Sequence, residues 1–418
     1  MPKIQALKAR EILDSRGIPT LETEIWLDSG HSAIASIPSG TSTGKYEAVE
    51  LRDSDSTRFN GKGVLKAAAN VNTVIAPQLV GRDPQSQIEI DQLLINLDGT
   101  NNKARLGANA TLSVSQAVCE VAAASLNLPT YLYLIWKYRG KDKVDHLPTP
   151  IFNLINGGKH GAGNLDFQEF HLIPATTKTF PQSLQIGAEI YQTLEKVLID
   201  RGAIHSVGVE GGFAPNLLTN LDALEALMAT IRATPYQFAK DVFLGLDVAA
   251  SSFFQSGRYT IKDRAQPFSP EEFLSYYEEL DKTYHLFSLE DPLQEDDWSG
   301  WQALTQLIGQ TTLIVGDDLL ATNKNRLRQA ITKQACTAIL VKPNQIGTIS
   351  ETVEVINLAR QTNFKVIISH RSGETTDDFI ADFAVGLEAD YTKFGAPVRG
   401  ERVAKYNRLL AIESQINP

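Results

Sequence analysis

The sequence predicts an α/β protein in which an α+β N-terminal domain, with antiparallel strands followed by helices, precedes a C-terminal β/α barrel. Three observations favour this class. Apolar and polar residues first alternate with the period of a strand, and apolar residues then recur with the period of a helix. From residue 243 onward, short apolar runs return roughly every 23 to 43 residues, enough for a strand, a helix and two loops. We place the boundary between domains of residues 1–140 and 141–418 at the polar stretch 141–145.

The first hundred residues contain the signals for strands and then for helices. Alternation over residues 21–27, followed by turn residues at 28–30, predicts a half-buried antiparallel hairpin. Residues 64–79 place their apolar side chains on one helical face, and we expect Pro77 to bend or end that helix. A longer helix is predicted from about residue 108 to 126. This order of elements is typical of an α+β domain.

Composition limits the classes of partner. The 418 residues are 43% hydrophobic and carry a net charge of −10, without a run of Lys or Arg, which argues against nucleic acid as a partner. The two cysteines, Cys119 and Cys336, predict no disulfide framework. No apolar run approaches the length of a membrane span, and charges interrupt the first 17 residues. We therefore expect a cytoplasmic protein without integral membrane association.

Polar side chains end the successive apolar runs of the second half. A single carboxylate after a strand is usually a helix cap, but a whole series in one register favours a shared site, because strand ends meet at one mouth of a β/α barrel. These residues are Asp247, Glu290, Asp317, Lys342, His370 and Lys393. Three neighbouring carboxylates repel one another unless a hard divalent cation accepts their oxygens. Since thiolates and paired imidazoles are missing from the series, the pattern points to Mg²⁺.

Two Gly-rich segments, residues 37–44 and 156–163, resemble mobile loops. Such loops can close over a substrate, exclude water and bring hydroxyl, imidazole and backbone N–H groups to an anion. They can equally be ordinary surface loops without a function. The first lacks the Lys-Ser/Thr ending of a phosphate-binding P-loop, so an ATP site is not predicted.

Several longer segments are specific enough to indicate a family. They are AREILDSRG at 9–17, PSGTSTG at 38–44, LGANA at 106–110, LDFQEF at 165–170, EGGFAPN at 210–216, NQIGT at 344–348, SHRSGET at 369–375 and AKYN at 404–407. Through them the chain resembles the enolase family, the phosphopyruvate hydratases of glycolysis, over nearly its whole length. The resemblance implies an enolase-type barrel that interconverts 2-phosphoglycerate and phosphoenolpyruvate with two Mg²⁺ ions. It also implies a homodimer or a higher homo-oligomer.

The resemblance assigns roles to individual residues. Asp247, Glu290 and Asp317 match the positions that hold the first Mg²⁺, and Ser39 joins the substrate phosphate on the second. Lys342 matches the base and Glu210 the acid. The other matched positions, on the substrate-binding and acid sides, are His160, Gln168, Glu169, His370, Arg371, Ser372 and Lys393. We expect burial and nearby cations to lower the pKa of Lys342, and burial and carboxylate neighbours to raise the pKa of Glu210.

Two residues beside these positions depart from the family pattern. Lys159 stands where a serine is usual, and Val209 where an aspartate is usual. The leading interpretation is an active enolase, and the alternative is a catalytically weakened enolase-like protein with a binding or structural role. The resemblance places Arg371 and Ser372 at phosphate-binding positions, and Ser39 beside the phosphate on the second Mg²⁺. These three residues therefore disfavour a related barrel enzyme that acts on a non-phosphorylated carboxylate.

Overall fold

The N-terminal part of the chain contains the predicted antiparallel strands. The computed structural model describes residues 1–40, 44–161 and 163–417; residues 41–43 and 162, parts of the two Gly-rich loops, lie outside the described ranges. A three-stranded sheet consists of β1 (Ile4–Leu13), β2 (Pro19–Leu27) and β3 (Ser32–Ser36), paired in the order β1-β2-β3. From Leu21 to Leu27 every second side chain of β2 is buried and the others are half-buried, so the hairpin prediction is confirmed.

In the described residues five α-helices follow this sheet, and the first, second and fourth of them pack on it. They are α1 (Leu65–Asn70), α2 (Ala76–Leu79), α3 (Gln87–Asp98), α4 (Ala108–Ser125) and α5 (Thr130–Arg139). A π-helical turn, Val71–Ile75, connects α1 to α2. It ends two residues before Pro77, whose nitrogen has no hydrogen to donate to the backbone ladder of a regular helix, and the helix ends two residues after Pro77. Of the two expected outcomes, a bend or an end, the structure shows the helix ending close to Pro77.

The second part of the chain forms a closed eight-stranded barrel. Its first strands are β4 (Thr149–Asn156), β5 (Glu169–Pro174) and β6 (Val242–Asp247); a two-stranded ribbon follows, β7 (Phe254–Gln255) and β8 (Arg258–Tyr259). The remaining barrel strands are β9 (Ser288–Glu290), β10 (Leu313–Gly316), β11 (Ala338–Val341), β12 (Lys365–Ser369) and β13 (Tyr391–Lys393). They close in the order β4-β5-β6-β9-β10-β11-β12-β13.

Eight α-helices accompany the barrel in the described residues. They are α6 (Phe180–Asp200), α7 (Asn220–Arg232), α8 (Pro270–Tyr284), α9 (Trp298–Ile308), α10 (Lys324–Lys333), α11 (Ile349–Gln361), α12 (Phe379–Gly386) and α13 (Gly400–Ile416). Both α6 and α7 lie between β5 and β6 in the chain, and a single helix precedes most later strands. Within the described residues no single helix is long and apolar enough to cross a membrane, and only the α4–α5 pair, bent by 99°, reaches that length and composition jointly.

One barrel strand runs against its neighbours. β5 is antiparallel to both β4 and β6, and Glu169 at its start pairs with Asn156 and with Asp247 at the ends of those strands. The other strand pairs of the barrel are parallel. The reversal therefore brings the beginning of β5 to the mouth where the other strands end.

Apolar side chains fill the barrel below that mouth. Val315, Leu340, Ile367 and Tyr391 belong to one buried cluster. Each lies two residues before a polar strand-end position, and residues two apart share a face of a strand. The interior therefore changes from apolar to polar within one layer of side chains.

The N-terminal domain contacts the barrel at its mouth. Ser39 and Gly373 exchange two backbone hydrogen bonds, of 2.8 and 2.9 Å. Nearby, Glu47 forms a buried ion pair with Arg371 at 3.0 Å. Side chains from both halves of the sequence therefore reach the mouth, while the domain boundary at residues 140 and 141 stays a prediction.

Candidate active site

All but one of the predicted strand-end side chains line one cavity at the barrel mouth; Glu290 does not line it, and it is buried against Lys393. The cavity has a volume of about 300 Å³. Asp247, Asp317, Lys342 and Lys393 all line it. The acid-side and anion-binding candidates also line it, namely His160, Gln168, Glu169, Glu210, His370, Arg371 and Ser372. The structure thus brings together residues that are up to 233 positions apart in the sequence.

Lys393 joins the carboxylates of three neighbouring strands. Its Nζ lies 2.8 Å from Glu290 Oε2, 3.1 Å from Asp247 Oδ2 and 3.2 Å from Glu169 Oε2. Burial lowers the pKa of Lys393, but Asp247, Glu169 and Glu290 outweigh burial and raise that pKa well above its usual range. Lys393 is therefore a fixed positive charge at the centre of the carboxylates.

On the adjacent strands Lys342 is paired with Asp317. The Lys342 Nζ lies 2.5 Å from Asp317 Oδ2, and Gln345 Nε2 donates to the other oxygen at 3.2 Å. Burial lowers the pKa of Lys342, yet the Asp317 carboxylate raises it above the usual value. Our expectation of a lowered pKa is wrong for the protein groups alone. Arg371 and Lys393 do lower the pKa of Lys342, but the directly bonded carboxylate outweighs them.

Two imidazoles surround Glu210. His160 Nδ1 lies 3.4 Å from Glu210 Oε1, and His370 Nε2 lies 3.5 Å from Oε2. Asn153 Nδ2 donates to Oε2 at 3.1 Å. Burial and Glu169 raise the pKa of Glu210, but the opposite effect of His160 and His370 is stronger. The pKa of Glu210 is therefore lowered, to about 2. The expected raised pKa is therefore wrong for the protein groups alone, because both imidazoles reach Glu210 from other elements.

The anion-binding candidates are anchored by residues that the sequence reasoning missed. Arg371 donates to Glu47 and, at 2.9 Å, to Asn344 Oδ1. Arg402 Nη1 donates to His370 Nδ1 at 2.6 Å. Only Asn344, the first residue of the NQIGT motif, carried a signal in the sequence; Glu47 and Arg402 lie outside the motifs.

Ser39 differs from the other predicted residues. It is buried, and it does not line the cavity. Its Oγ donates to Asp14 Oδ2 at 2.7 Å and accepts from Arg16 Nη2 at 2.9 Å. Both partners belong to the AREILDSRG motif, which gives that motif a structural role. The role of Ser39 as a metal ligand stays a prediction.

Comparison with family models covers nearly the whole chain. A model described as "Enolase, N-terminal domain" matches residues 4–134, and one described as "Enolase, C-terminal TIM barrel domain" matches residues 144–418. The chain belongs to the enolase family. Membership in the enolase family indicates a lyase that uses a divalent metal, and the cavity supplies acidic groups for such an ion.

The carboxyl groups of the enolase cavity fit a hard cation. Among the described residues, Asp291, Asp317 and Asp318 bring ligand atoms within 4.8 Å of one another, as do His160, Glu169 and Glu210. The predicted set of Asp247, Glu290 and Asp317 does not form such a group; in it, Asp247 and Glu290 contact Lys393 instead. Burial and then Asp247 raise the pKa of Glu290 well above its usual range. This repulsion between oxygen donors is relieved by an ion such as Mg²⁺.

Asp291 is a site residue that we did not predict. Its carboxylate accepts the backbone N–H groups of Asp317 at 3.1 Å and Asp318 at 2.6 Å. It therefore orients the turn that carries Asp317. Burial and Asp317 raise the pKa of Asp318 to about 7. The signal for Asp291 was its position directly after Glu290. The sequence pattern was interpreted through Glu290 alone, as the polar residue that ends the apolar run.

The two departures from the enolase pattern lie close to the acid side. Lys159 is exposed and lines the cavity, directly before His160. Val209 is half-buried, and its carbonyl accepts a hydrogen bond from Arg402 Nη2 at 3.2 Å. Lys159 adds a cation at the cavity wall, whereas Val209 takes part through its backbone.

Proposed function

We propose that this chain is an active enolase that catalyses the reversible, Mg²⁺-dependent dehydration of 2-phosphoglycerate to phosphoenolpyruvate in glycolysis and gluconeogenesis. The observation that carries the proposal is that a half-buried lysine, Lys342, and a buried carboxyl group, Glu210, line one cavity together with clustered carboxylates. Removal of a proton beside a carboxylate and loss of a hydroxyl group require a base and an acid in one water-poor site.

The proposed base is Lys342, which takes the proton from the carbon beside the substrate carboxylate. A lysine acts as a base only when it is neutral, and the Asp317 carboxylate now favours its charged form. Any interaction that draws Asp317 away therefore lowers the pKa of Lys342 towards a working value. Lys393 stabilises the negative charge that develops on the substrate carboxylate, because its ammonium group is held beside Glu290, one of the residues proposed for the first Mg²⁺.

The proposed acid is Glu210, which gives its proton to the departing hydroxyl group. It needs a higher pKa than about 2, the value set by His160 and His370. The charges of a phosphate and a carboxylate in the cavity raise the pKa of a neighbouring carboxyl group by repulsion. We propose that an anionic substrate prepares its own acid in this way.

We propose Asp247, Glu290 and Asp317 as the residues that hold the first Mg²⁺ and Ser39 as a ligand of the second. When bound, these ions neutralise the substrate carboxylate and stabilise the charge that forms there. Arg371 and Ser372 are proposed on the phosphate side, His370 as a further substrate-binding residue, and Gln168, Glu169 and His160 on the acid side. A cytoplasmic location and a homo-oligomeric assembly belong to the same proposal.

The second candidate function is a catalytically weakened enolase-like protein with a binding or structural role. Two observations favour it. The pKa of Lys342 is raised and that of Glu210 is lowered, so that both groups rest in the form opposite to the one required. Lys159 and Val209 also depart from the family pattern beside the acid.

One absorbance assay separates the two candidates. We expect purified protein with 2-phosphoglycerate and Mg²⁺ to form phosphoenolpyruvate, and excess EDTA to stop the reaction. Lys342→Ala should lower turnover at least a hundredfold, the low end of what a general base contributes. Absence of product with wild-type protein and Mg²⁺ would establish the weakened protein instead, and full turnover in EDTA would exclude a metal-dependent reaction.

A further inference from the structure

Glu169 is held at both of its carboxylate oxygens. His160 Nδ1 lies 3.1 Å from Oε1, and His171 Nε2 lies 2.9 Å from Oε2. Lys393 also contacts Oε2, at 3.2 Å. His160 and Lys393 already have proposed roles, but His171 has none. It is only 1% exposed, and neither the motifs nor the cavity lining include it.

The position of His171 in the barrel explains how it reaches Glu169. The two residues are two apart on β5, so both side chains point into the barrel from one face of the strand. The cross-strand partner of His171 on β6 is Gly245. A Cβ at Gly245 would lie 2.4 Å from Ser288 Oγ and 3.0 Å from Ile173 Cδ1, so a larger residue would clash there. The glycine therefore leaves room for the side chains of Ser288 and Ile173 beside this pair.

The hydrogen bond between the two residues has a defined direction. Burial raises the pKa of Glu169, but Lys393, His160 and His171 hold it well below its usual range, so the carboxylate can only accept. His171 Nε2 must therefore donate. In the described part of the chain its buried Nδ1 has no hydrogen-bond partner. A bare acceptor there is less unfavourable than an unpaired N–H, which favours the tautomer with hydrogen on Nε2.

We propose that His171 is a positioning residue for the acid side of the site: its Nε2–H fixes one oxygen of Glu169, which keeps the other oxygen on His160. His160 in turn faces Glu210 at 3.4 Å. The catalytic part of this inference rests on the proposed function. Without the His171 donor, Lys393 is the one remaining partner of Oε2 among the described residues, so the carboxylate can rotate and His160 loses its fixed acceptor.

Two substitutions at this position distinguish hydrogen bonding from packing. His171→Met replaces the imidazole with an apolar side chain of similar length and so removes the donor, whereas His171→Gln keeps an N–H donor. We expect His171→Met to lower kcat roughly ten- to a hundredfold, as for loss of a hydrogen bond to a charged group, with KM within about threefold. His171→Gln should recover most of kcat. Thr392→Val is the control, because Thr392 is also buried in the barrel and its Oγ1 has no partner among the described residues.

Equal kcat values for the two His171 variants, or a change in KM as large as the change in kcat, would overturn the positioning role. Far-ultraviolet circular dichroism identifies a variant that does not fold. If His171→Met does not fold, kcat of His171→Gln is compared with kcat of Thr392→Val. A positioning donor predicts similar values for these two variants, and a much lower kcat for His171→Gln would overturn the positioning role.

A second measurement does not depend on activity. Nitrogen-15 NMR of the imidazoles should show His171 with its hydrogen on Nε2, and Glu169→Gln should shift that signal. A hydrogen on Nδ1, or an unchanged signal in Glu169→Gln, would overturn the contact itself. A wild-type protein that does not convert 2-phosphoglycerate would overturn the proposed function and the catalytic part of this inference, while the spectrum still decides whether the contact exists.

Discussion

At the scale of single residues, the acid and the base of the proposed reaction are controlled by different neighbours. Lys342 is bonded to one carboxylate, Asp317, and Glu210 lies between two imidazoles. The two groups therefore respond to separate changes in the cavity. Separate control agrees with a reaction in which proton removal and loss of hydroxide are distinct steps.

The two steps can be measured separately by hydrogen exchange. We expect Lys342→Ala to reduce exchange of the substrate α proton with solvent deuterium at least a hundredfold, since general bases contribute that much. Glu210→Gln should keep measurable exchange while it loses dehydration, because in the proposed reaction proton removal precedes loss of hydroxide and can reverse. Proton NMR of 2-phosphoglycerate in deuterium oxide measures both. The assignment of separate roles fails if Glu210→Gln loses exchange as completely as Lys342→Ala.

The location of these residues was predictable, but their pKa shifts were not. Asp317 and Lys342 each follow an apolar run, and that pattern alone placed them at the mouth of a barrel. The pKa directions depend on which remote side chains come within a few ångströms. His370 acts on Glu210 from 160 residues away, and no periodicity in the sequence reports that distance.

At the scale of elements, one buried aspartate fixes the loop between α3 and α4. Asp98 ends α3 and is 1% exposed. It accepts the backbone N–H groups of Thr100 at 3.0 Å, Arg105 at 3.1 Å and Leu106 at 2.6 Å. Burial raises the pKa of Asp98, but these hydrogen bonds lower it below its usual value. The carboxylate therefore sets the start of α4, which packs on the N-terminal sheet.

The effect of this aspartate on stability should depend on pH. We expect Asp98→Asn to lower the free energy of unfolding by about 1–3 kcal/mol at pH 7, the range for an unsatisfied buried group. A lowered pKa in the folded state gives stability that is full above the unfolded pKa of about 3.9 and is lost as the pH falls through the folded pKa. The difference between wild type and variant should therefore be equal at pH 7 and pH 5 and shrink below pH 4 in urea unfolding.

Asp55 provides the matched control for this measurement. It forms the same Asp-x-Thr turn, with its Oδ1 accepting Thr57 N–H at 2.9 Å and Thr57 Oγ1 at 2.6 Å, but it lies on the surface. Asp55→Asn should change the urea midpoint far less than Asp98→Asn. Equal losses for the two variants would show that the local turn, and not the buried loop, determines the effect.

Element types were easier to predict than strand direction. The period of β2 and the position of Pro77 were sufficient for the hairpin and for the break in the helix. The reversal of β5 was not predicted, because an apolar strand has the same composition in either direction. Only the pairing of Glu169 with both Asn156 and Asp247 shows it.

At the scale of the whole molecule, the cavity concentrates negative charge in a chain whose net charge is already −10. The carboxyl groups among the lining residues are Glu47, Glu169, Glu210, Asp247, Asp291, Glu295, Asp317 and Asp318, against Lys45, Lys159, Lys342, Arg371 and Lys393. An anionic substrate would be repelled by this excess, and the carboxylates also destabilise one another. A divalent cation bound here should therefore stabilise the whole folded chain.

This stabilisation gives a prediction that does not require turnover. At a Mg²⁺ concentration of 100 times Kd, binding to the folded state contributes about 2.7 kcal/mol. With an unfolding entropy of roughly 2.1 cal/mol/K per residue, that corresponds to a rise in Tm of about 3 °C for this chain. Differential scanning calorimetry should show the rise with MgCl₂ and not with NaCl of equal ionic strength, because screening alone acts on all surface charges.

Two variants locate the stabilising ion. Asp317→Ala should lose most of the rise in Tm, since it removes one of the clustered oxygen donors. Asp296→Ala should keep it, because Asp296 is bonded to Tyr46 at 2.7 Å and does not line the cavity. A rise of the same size in Asp317→Ala and in wild type would place the stabilising ion elsewhere and would remove Asp317 from the proposed metal site.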